Sequence, residues 1–206
     1  MDDAEKRAAP YPSDPRVQVE LAEAEFDAGN DAATDAAADR VLAADPTNNT
    51  ALLYKGRVAV RRARAAHATD AATWAAARGW FVKANRADTE AALPLYFYYQ
   101  SFLGQGVRAP DLAVQGLRKA ETLAPEDSGI RWLLARRELA DGNATEARGL
   151  LVPIAYAPHG GGPKDTARAI IGLIDSGKTV EARAKIEGDK SDQQDAATAP
   201  KSQPKS

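Results

Sequence analysis

Arg57, Arg61 and Arg64 are spaced by four and three residues, so on a helix they share one side. Guanidinium groups presented together suit anions, because each planar fork can donate two parallel N–H bonds to a carboxylate. That chemistry is recognition rather than bond making. The residue types that make and break bonds are sparse: the chain of 206 residues has no cysteine and two histidines, His67 and His159. Thiol chemistry, a disulfide framework and Cys-ligated zinc are thereby excluded. A His-Glu-x-x-His pattern, a glycine-rich phosphate loop ending in Lys-Ser/Thr and a Gly-x-Ser-x-Gly elbow are all missing. Gly160-Gly161-Gly162-Pro163-Lys164 follows no strand, and proline interrupts its glycines, so it reads as a flexible loop rather than an anion cradle. Asp45, Asp88 and Asp127 fall beside expected helix ends, where capping explains them. No spacing demands the facing carboxylate pair of an acid–base site. The expectation is a non-catalytic chain with no metal and no cofactor.

Charge and composition narrow the partner class. With 27 basic and 29 acidic side chains the net charge is -2, and no basic stripe points to nucleic acid. The N-terminal Met1-Asp2-Asp3-Ala4-Glu5-Lys6-Arg7 leads into no apolar run, unlike a signal peptide. No apolar stretch is long enough to span a bilayer. The expected setting is therefore cytoplasmic by default, without membrane insertion. Hydrophobic residues make up 44% of the chain but aromatics only 6%, because alanine dominates. Alanine favours helix and close helix packing, yet buries little area, so stability rests on many small contacts.

The elements that position the arginines are helices. Residues 1–14 are polar, with Pro10 and Pro12, and read as a flexible leader. From Val17, apolar residues recur at three- and four-residue steps through Leu21, Ala24 and Ala28, and Gly29-Asn30 stops the helix. Further helices are expected over 32–43, 51–66, 71–85, 91–103, from Pro110 to about 123, and over 129–140, 145–156, 165–175 and 180–187. Residues 188–206 lack periodicity and read as a disordered tail. No alternation suggests a strand.

Punctuation repeats along the chain. Pro15 to Pro46 is 31 residues, Pro46 to Thr89 is 43, and Thr89 to Pro125 is 36. Periods of this size, two helices each, indicate a helical-repeat array. The fourth unit carries the pattern best: Leu134-Ala135, Gly142 at the turn, then Ala147 and Leu151. Leu21 and Gly29 fill equivalent roles in the first unit, and Gly56, Ala77 and Phe81 in the second, after an insertion of about nine residues near His67. In these residues the chain resembles the tetratricopeptide-repeat family. The resemblance implies an all-α, right-handed superhelical solenoid of about five helix pairs over residues 15–187. The fine pattern is also similar to repeat blocks at the C-terminal side of larger proteobacterial proteins, some with a peptidase-like domain ahead.

In that family the first helix of each pair lines a concave face. The resemblance therefore implies groove positions at Arg57, Val60, Arg61, Arg64, Arg136 and Leu139. Tyr96 and Tyr99, from the run Tyr96-Phe97-Tyr98-Tyr99, are further candidate contacts, because aromatic side chains with polar tips anchor interfaces. The expected ligand is a protein or peptide, either an acidic segment or a C-terminal carboxylate. Glu23 and Asp27 make the N-terminal end of such a groove acidic and its middle basic. Two other roles remain open: an accessory repeat domain of a larger enzyme or peptidase, and self-association through a terminal hairpin.

Overall fold

The computed structural model describes residues 3–157 and 163–189, and every regular element among them is an α-helix. The chain divides into two compact units, Met1–Leu123 and Ala124–Ser206. The expected tail over 188–206 lies almost wholly outside the described residues, as do His159 and the glycines before Pro163.

Unit 1 is a short helix α1 (Asp3–Ala8) followed by three antiparallel pairs. The pairs are α2 (Pro15–Asp27) with α3 (Asp31–Ala44), α4 (Asn49–Ala65) with α5 (Ala71–Ala87), and α6 (Ala92–Gln105) with α7 (Asp111–Leu123). Pro15 stands in the first turn of α2, where its missing N–H is no loss, and the Asp14 carboxylate accepts from the Arg16 N–H. Asn48 and Asp70 cap α4 and α5 by accepting from the Ala51 and Thr73 N–H groups.

One feature differs from the sequence-based expectation. The leader expected over 1–14 contains α1, whose Ala4 and Ala8 are buried in one cluster with Leu21 and Ala22. Six residues are too short to show helical periodicity, so only packing on α2 reveals this helix. The helices expected over 51–66 and 71–85 are present as α4 and α5, and the insertion near His67 is taken up in them. It lengthens α4 and α5 to 17 residues each, against 13 or 14 in the other two pairs of this unit. The connection between them is a tight turn in which His67 adopts a positive φ of 49°.

Packing within the pairs depends on small residues. Gly56 of α4 faces the buried ring of Phe81 on α5: a Cβ there would lie 2.7 Å from Phe81 Cδ1 and 2.9 Å from Cζ. Ala77, Ala84 and Trp74 are buried on the same helix, and the Trp74 indole donates to the Ala68 carbonyl at 2.8 Å.

Unit 2 holds two pairs, α8 (Ser128–Asp141) with α9 (Ala144–Tyr156) and α10 (Lys164–Asp175) with α11 (Thr179–Gly188). Its core joins Trp132, Ala135, Leu139, Ala147, Leu151, Ile154, Ile170, Ile171 and Ile186. Burying each large aliphatic side chain contributes about 1.5–3 kcal/mol.

The α2–α3 and α8–α9 turns are built alike. Gly29 and Gly142 take the left-handed conformation at φ 84° and 87°, where any other residue is strained. The next residue donates its backbone N–H to the carbonyl five positions back, Asn30 to Glu25 and Asn143 to Glu138, each at 2.8 Å. The same asparagines donate from Nδ2 to the buried carboxylates of Glu25 and Glu138, at 2.7 and 2.8 Å. Each turn is thus locked from backbone and side chain together.

Gly56→Ala tests the close approach in the α4–α5 pair. The substitution should lower stability by about 1–3 kcal/mol in chemical denaturation, since a buried ring must shift to admit the methyl group. An unchanged denaturation midpoint would place Phe81 away from Gly56.

Candidate functional site

Within unit 1 the first helices of successive pairs are neighbours, α2 beside α4 and α4 beside α6. Their side chains meet around Arg57. Its guanidinium carbon lies 4.0 Å from the ring centroid of Phe26 on α2, 5.0 Å from that of Tyr54 one turn back on α4, and 4.9 Å from that of Phe97 on α6. Phe26 and Tyr54 meet edge to face at 5.5 Å, and Phe97 stacks on Phe81 at 6.0 Å. Arg57 is only 4% exposed, and its Nε and both Nη atoms are buried without a hydrogen-bond partner. Isolated burial of a charge is costly. Each ring face returns roughly 0.5–2 kcal/mol when the cation is desolvated. Burial pulls the Arg57 pKa below its ordinary value, while Tyr54 and Asp27 act in the opposite direction.

Arg61, one turn further along α4, is committed differently. It forms an ion pair with Asp31 at the start of α3, donates from Nη1 to the Phe26 carbonyl at 2.8 Å, and lies 3.8 Å from the Phe26 ring centroid. Arg62 pairs with Asp35, and Lys55 reaches Asp35 at 3.0 Å and Asp39 at 2.9 Å. Asp31, Asp35 and Asp39 follow at four-residue steps, so α3 offers α4 an acidic ladder. Burial opposes the charge on Lys55, but the bonds to Asp39 and Asp35 outweigh it and raise its pKa. Arg64 is exposed, beside Gly104 of α6. The arginines expected to act together are therefore one caged, one paired and one open to solvent, because the neighbours of α4 change along its length.

The other candidate contacts occupy varied places. Val60 is half-buried on α4. Tyr96 and Tyr99 are buried in α6, and the Tyr96 hydroxyl accepts from Gln100 Nε2 at 3.1 Å. Arg136 is half-buried on α8 of unit 2, whereas the groove position expected at Leu139 is 4% exposed and belongs to the core of that unit. Leu139 shares that core with residues of α9, α10 and α11, a packing that the register of one helix does not reveal. Phe26 and Phe97 complete the cage and were not singled out from the sequence as site residues. The usable signal was Phe26 at the end of a first helix, with Tyr54 and Arg57 three residues apart on the next.

Among the described residues no group of three or more His, Asp or Glu is placed to hold a metal, and no helix is long and apolar enough to cross a membrane.

Burial pushes the Tyr54 phenol up to about 12, with Glu23 and Asp27 adding to the rise and Arg57 opposing it. Between its ordinary value near 10 and about 12, the folded state keeps a proton that the unfolded state has released. The associated stability is complete below pH about 10 and is lost as pH rises through about 12. An ultraviolet phenolate titration of the wild type minus that of Tyr54→Phe should have its midpoint near 12. A midpoint near 10 would contradict the buried cage.

No protein-family model matches the sequence, and no curated protein matches it at a significant level. Solved structures do match. The thermophilic TPR protein TTC0263 of Thermus thermophilus superposes with a TM-score of 0.59 at 18% identity, over 89% of this chain and 85% of that one. YrrB, a TPR protein with an unusual peptide-binding site, gives 0.57 at 19% identity over 95% and 96%. MamA gives 0.53 at 16% identity over 90% and 94%. At these identities the likeness is one of fold, and the fold of this chain is that of tetratricopeptide-like helical hairpins.

Proposed function

We propose that the chain is a non-catalytic protein-binding module, and that the α2–α4–α6 face of unit 1 receives an acidic peptide segment or a C-terminal carboxylate. Arg57 carries this reading: it is a cation with no carboxylate within hydrogen-bond distance, fixed beneath the face by three rings. A charge held in a low-dielectric floor acts on an approaching anion with little screening. Its position is already set by folding, so binding loses little side-chain freedom there. Arg64, exposed on the same side of α4, is the direct contact, and half-buried Val60 supplies apolar surface nearby. Glu23 and Asp27 bias the α2 end against anions, which gives a bound acidic segment a direction. Arg61 stabilises the α3–α4 junction in this reading and does not touch ligand. The peptide-binding site of the fold neighbour YrrB is in keeping with a binding role for such hairpins.

The test is fluorescence anisotropy with labelled peptides that differ only in charge: an acidic peptide with a free carboxyl end, its amidated form, and a neutral analogue. The wild type should prefer the acidic peptides, with affinity falling as salt rises. Arg57→Met removes the charge and keeps the stem, so it should weaken acidic binding by about tenfold while the circular dichroism spectrum is retained. Equal binding of acidic and neutral peptides, or an unaffected Arg57→Met variant, would refute the reading.

A further inference from the structure

We propose that α1 is a displaceable strap, and that its seat on α2 and α3 docks an amphipathic helix of a partner protein. That helix carries apolar residues four apart, the second of leucine size, and a carboxylate directly after the first. The strap itself is slight. α1 spans six residues, and a helix of that length does not persist in water without packing. Its buried apolar side chains are Ala4 and Ala8, four apart and so on one face, and they join Leu21, Ala22 and Ala37 in one cluster. Two methyl groups bury little area. Beyond α1 the chain is tied at Tyr11, whose N–H donates to the Ala8 carbonyl at 2.9 Å and whose carbonyl accepts from Gln18 Nε2 at 3.2 Å.

The seat is larger than the strap. A cavity of about 320 Å³ remains between α1, α2 and α3, with Ala8, Leu21, Ala33 and Ala36 among its walls. Native interiors leave few voids larger than a water molecule, so α1 does not fill the place it occupies. A longer side chain at the position of Ala8 has that space to enter, and each methylene it buries favours docking by about fourfold. Charge sets the neighbouring position. Arg40 of α3 lines the cavity, is exposed, and donates from Nη1 to the neutral amide oxygen of Gln18 at 2.9 Å. Glu5, the residue after Ala4, lines the same cavity from α1. A carboxylate held there on a longer docking helix gives the Arg40 guanidinium a charged acceptor, the stronger kind of hydrogen bond. Hence the partner pattern of apolar, acidic, then large apolar three residues on, in place of Ala4, Glu5 and Ala8.

Fluorescence anisotropy of the full chain tests the strap. The probe is a labelled peptide of residues 1–14 carrying Ala8→Leu, compared with the same peptide of unaltered sequence. In the chain, Ala8→Asp loosens the strap and leaves the seat intact, whereas Ala8→Leu fills the cavity from within. The Ala8→Asp chain should bind the probe at least about tenfold more tightly than the wild type does, and at least about tenfold more tightly than it binds the unaltered peptide. The Ala8→Leu chain should not bind it. Glu5→Gln in the probe should weaken binding by about threefold, and Arg40→Gln in the chain should erase that difference. Arg57→Met should leave probe binding as in the wild type, so this proposal and acidic-peptide binding at the α2–α4–α6 face fail separately. No saturable binding by the Ala8→Asp chain, equal binding by the Ala8→Asp and Ala8→Leu chains, or equal affinity for the two peptides overturns the proposal. A concentration-dependent dimer in sedimentation that Ala8→Leu abolishes would assign the seat to a second copy of this chain, and would overturn the partner-protein assignment.

Discussion

A guanidinium charge buried away from water has to be held by something, and in unit 1 it is held by rings. Phe26, Tyr54 and Phe97 come from the first helices of three consecutive pairs, and Arg57 touches all of them. Phe97 continues to Phe81, and Phe81 lies against Gly56, one residue before Arg57. The column therefore closes on itself through both the charge and the glycine. Moving any one of these helices would either open a void beside a ring or leave the cation without its faces. In an alanine-rich chain, where most contacts are individually small, such a column sets the spacing of the helices around it.

A buried unpaired charge is seldom the most stable choice for a core position, since an apolar side chain of similar volume avoids desolvation. The proposed binding role of Arg57 would account for a charge that folding alone does not require. The neighbouring cations have ordinary structural explanations: Arg61 and Arg62 join α4 to the acidic ladder of α3, and Lys55 extends that junction. Of these four, Arg57 alone has no carboxylate partner.

Much of the fold was legible in the sequence because its signals are local. Glycine at positive φ, proline in a first turn and three- to four-residue apolar steps mark ten of the eleven helices among the described residues, and α1 is missed only for its length. The spatial relation of the arginines was less legible. Their shared helix side follows from spacing, but what covers that side follows from α2, α3 and α6. Phe26, near the end of α2, is the first wall of the cage. Leu139 shows the converse: its register suggests a groove, and it lies in a core built from α8, α9, α10 and α11. Glu25 and Glu138 escaped notice because a glutamate five residues before a turn asparagine has no meaning until the turn has formed.

The most direct measurement is a double-mutant cycle between Arg57→Met and Phe97→Leu, read by chemical denaturation of the full chain. If the rings hold the charge across the helical pairs, the two substitutions couple by roughly 0.5–2 kcal/mol. Additive effects, with coupling near zero, would contradict the cage and leave Arg57 an incidental neighbour of the rings.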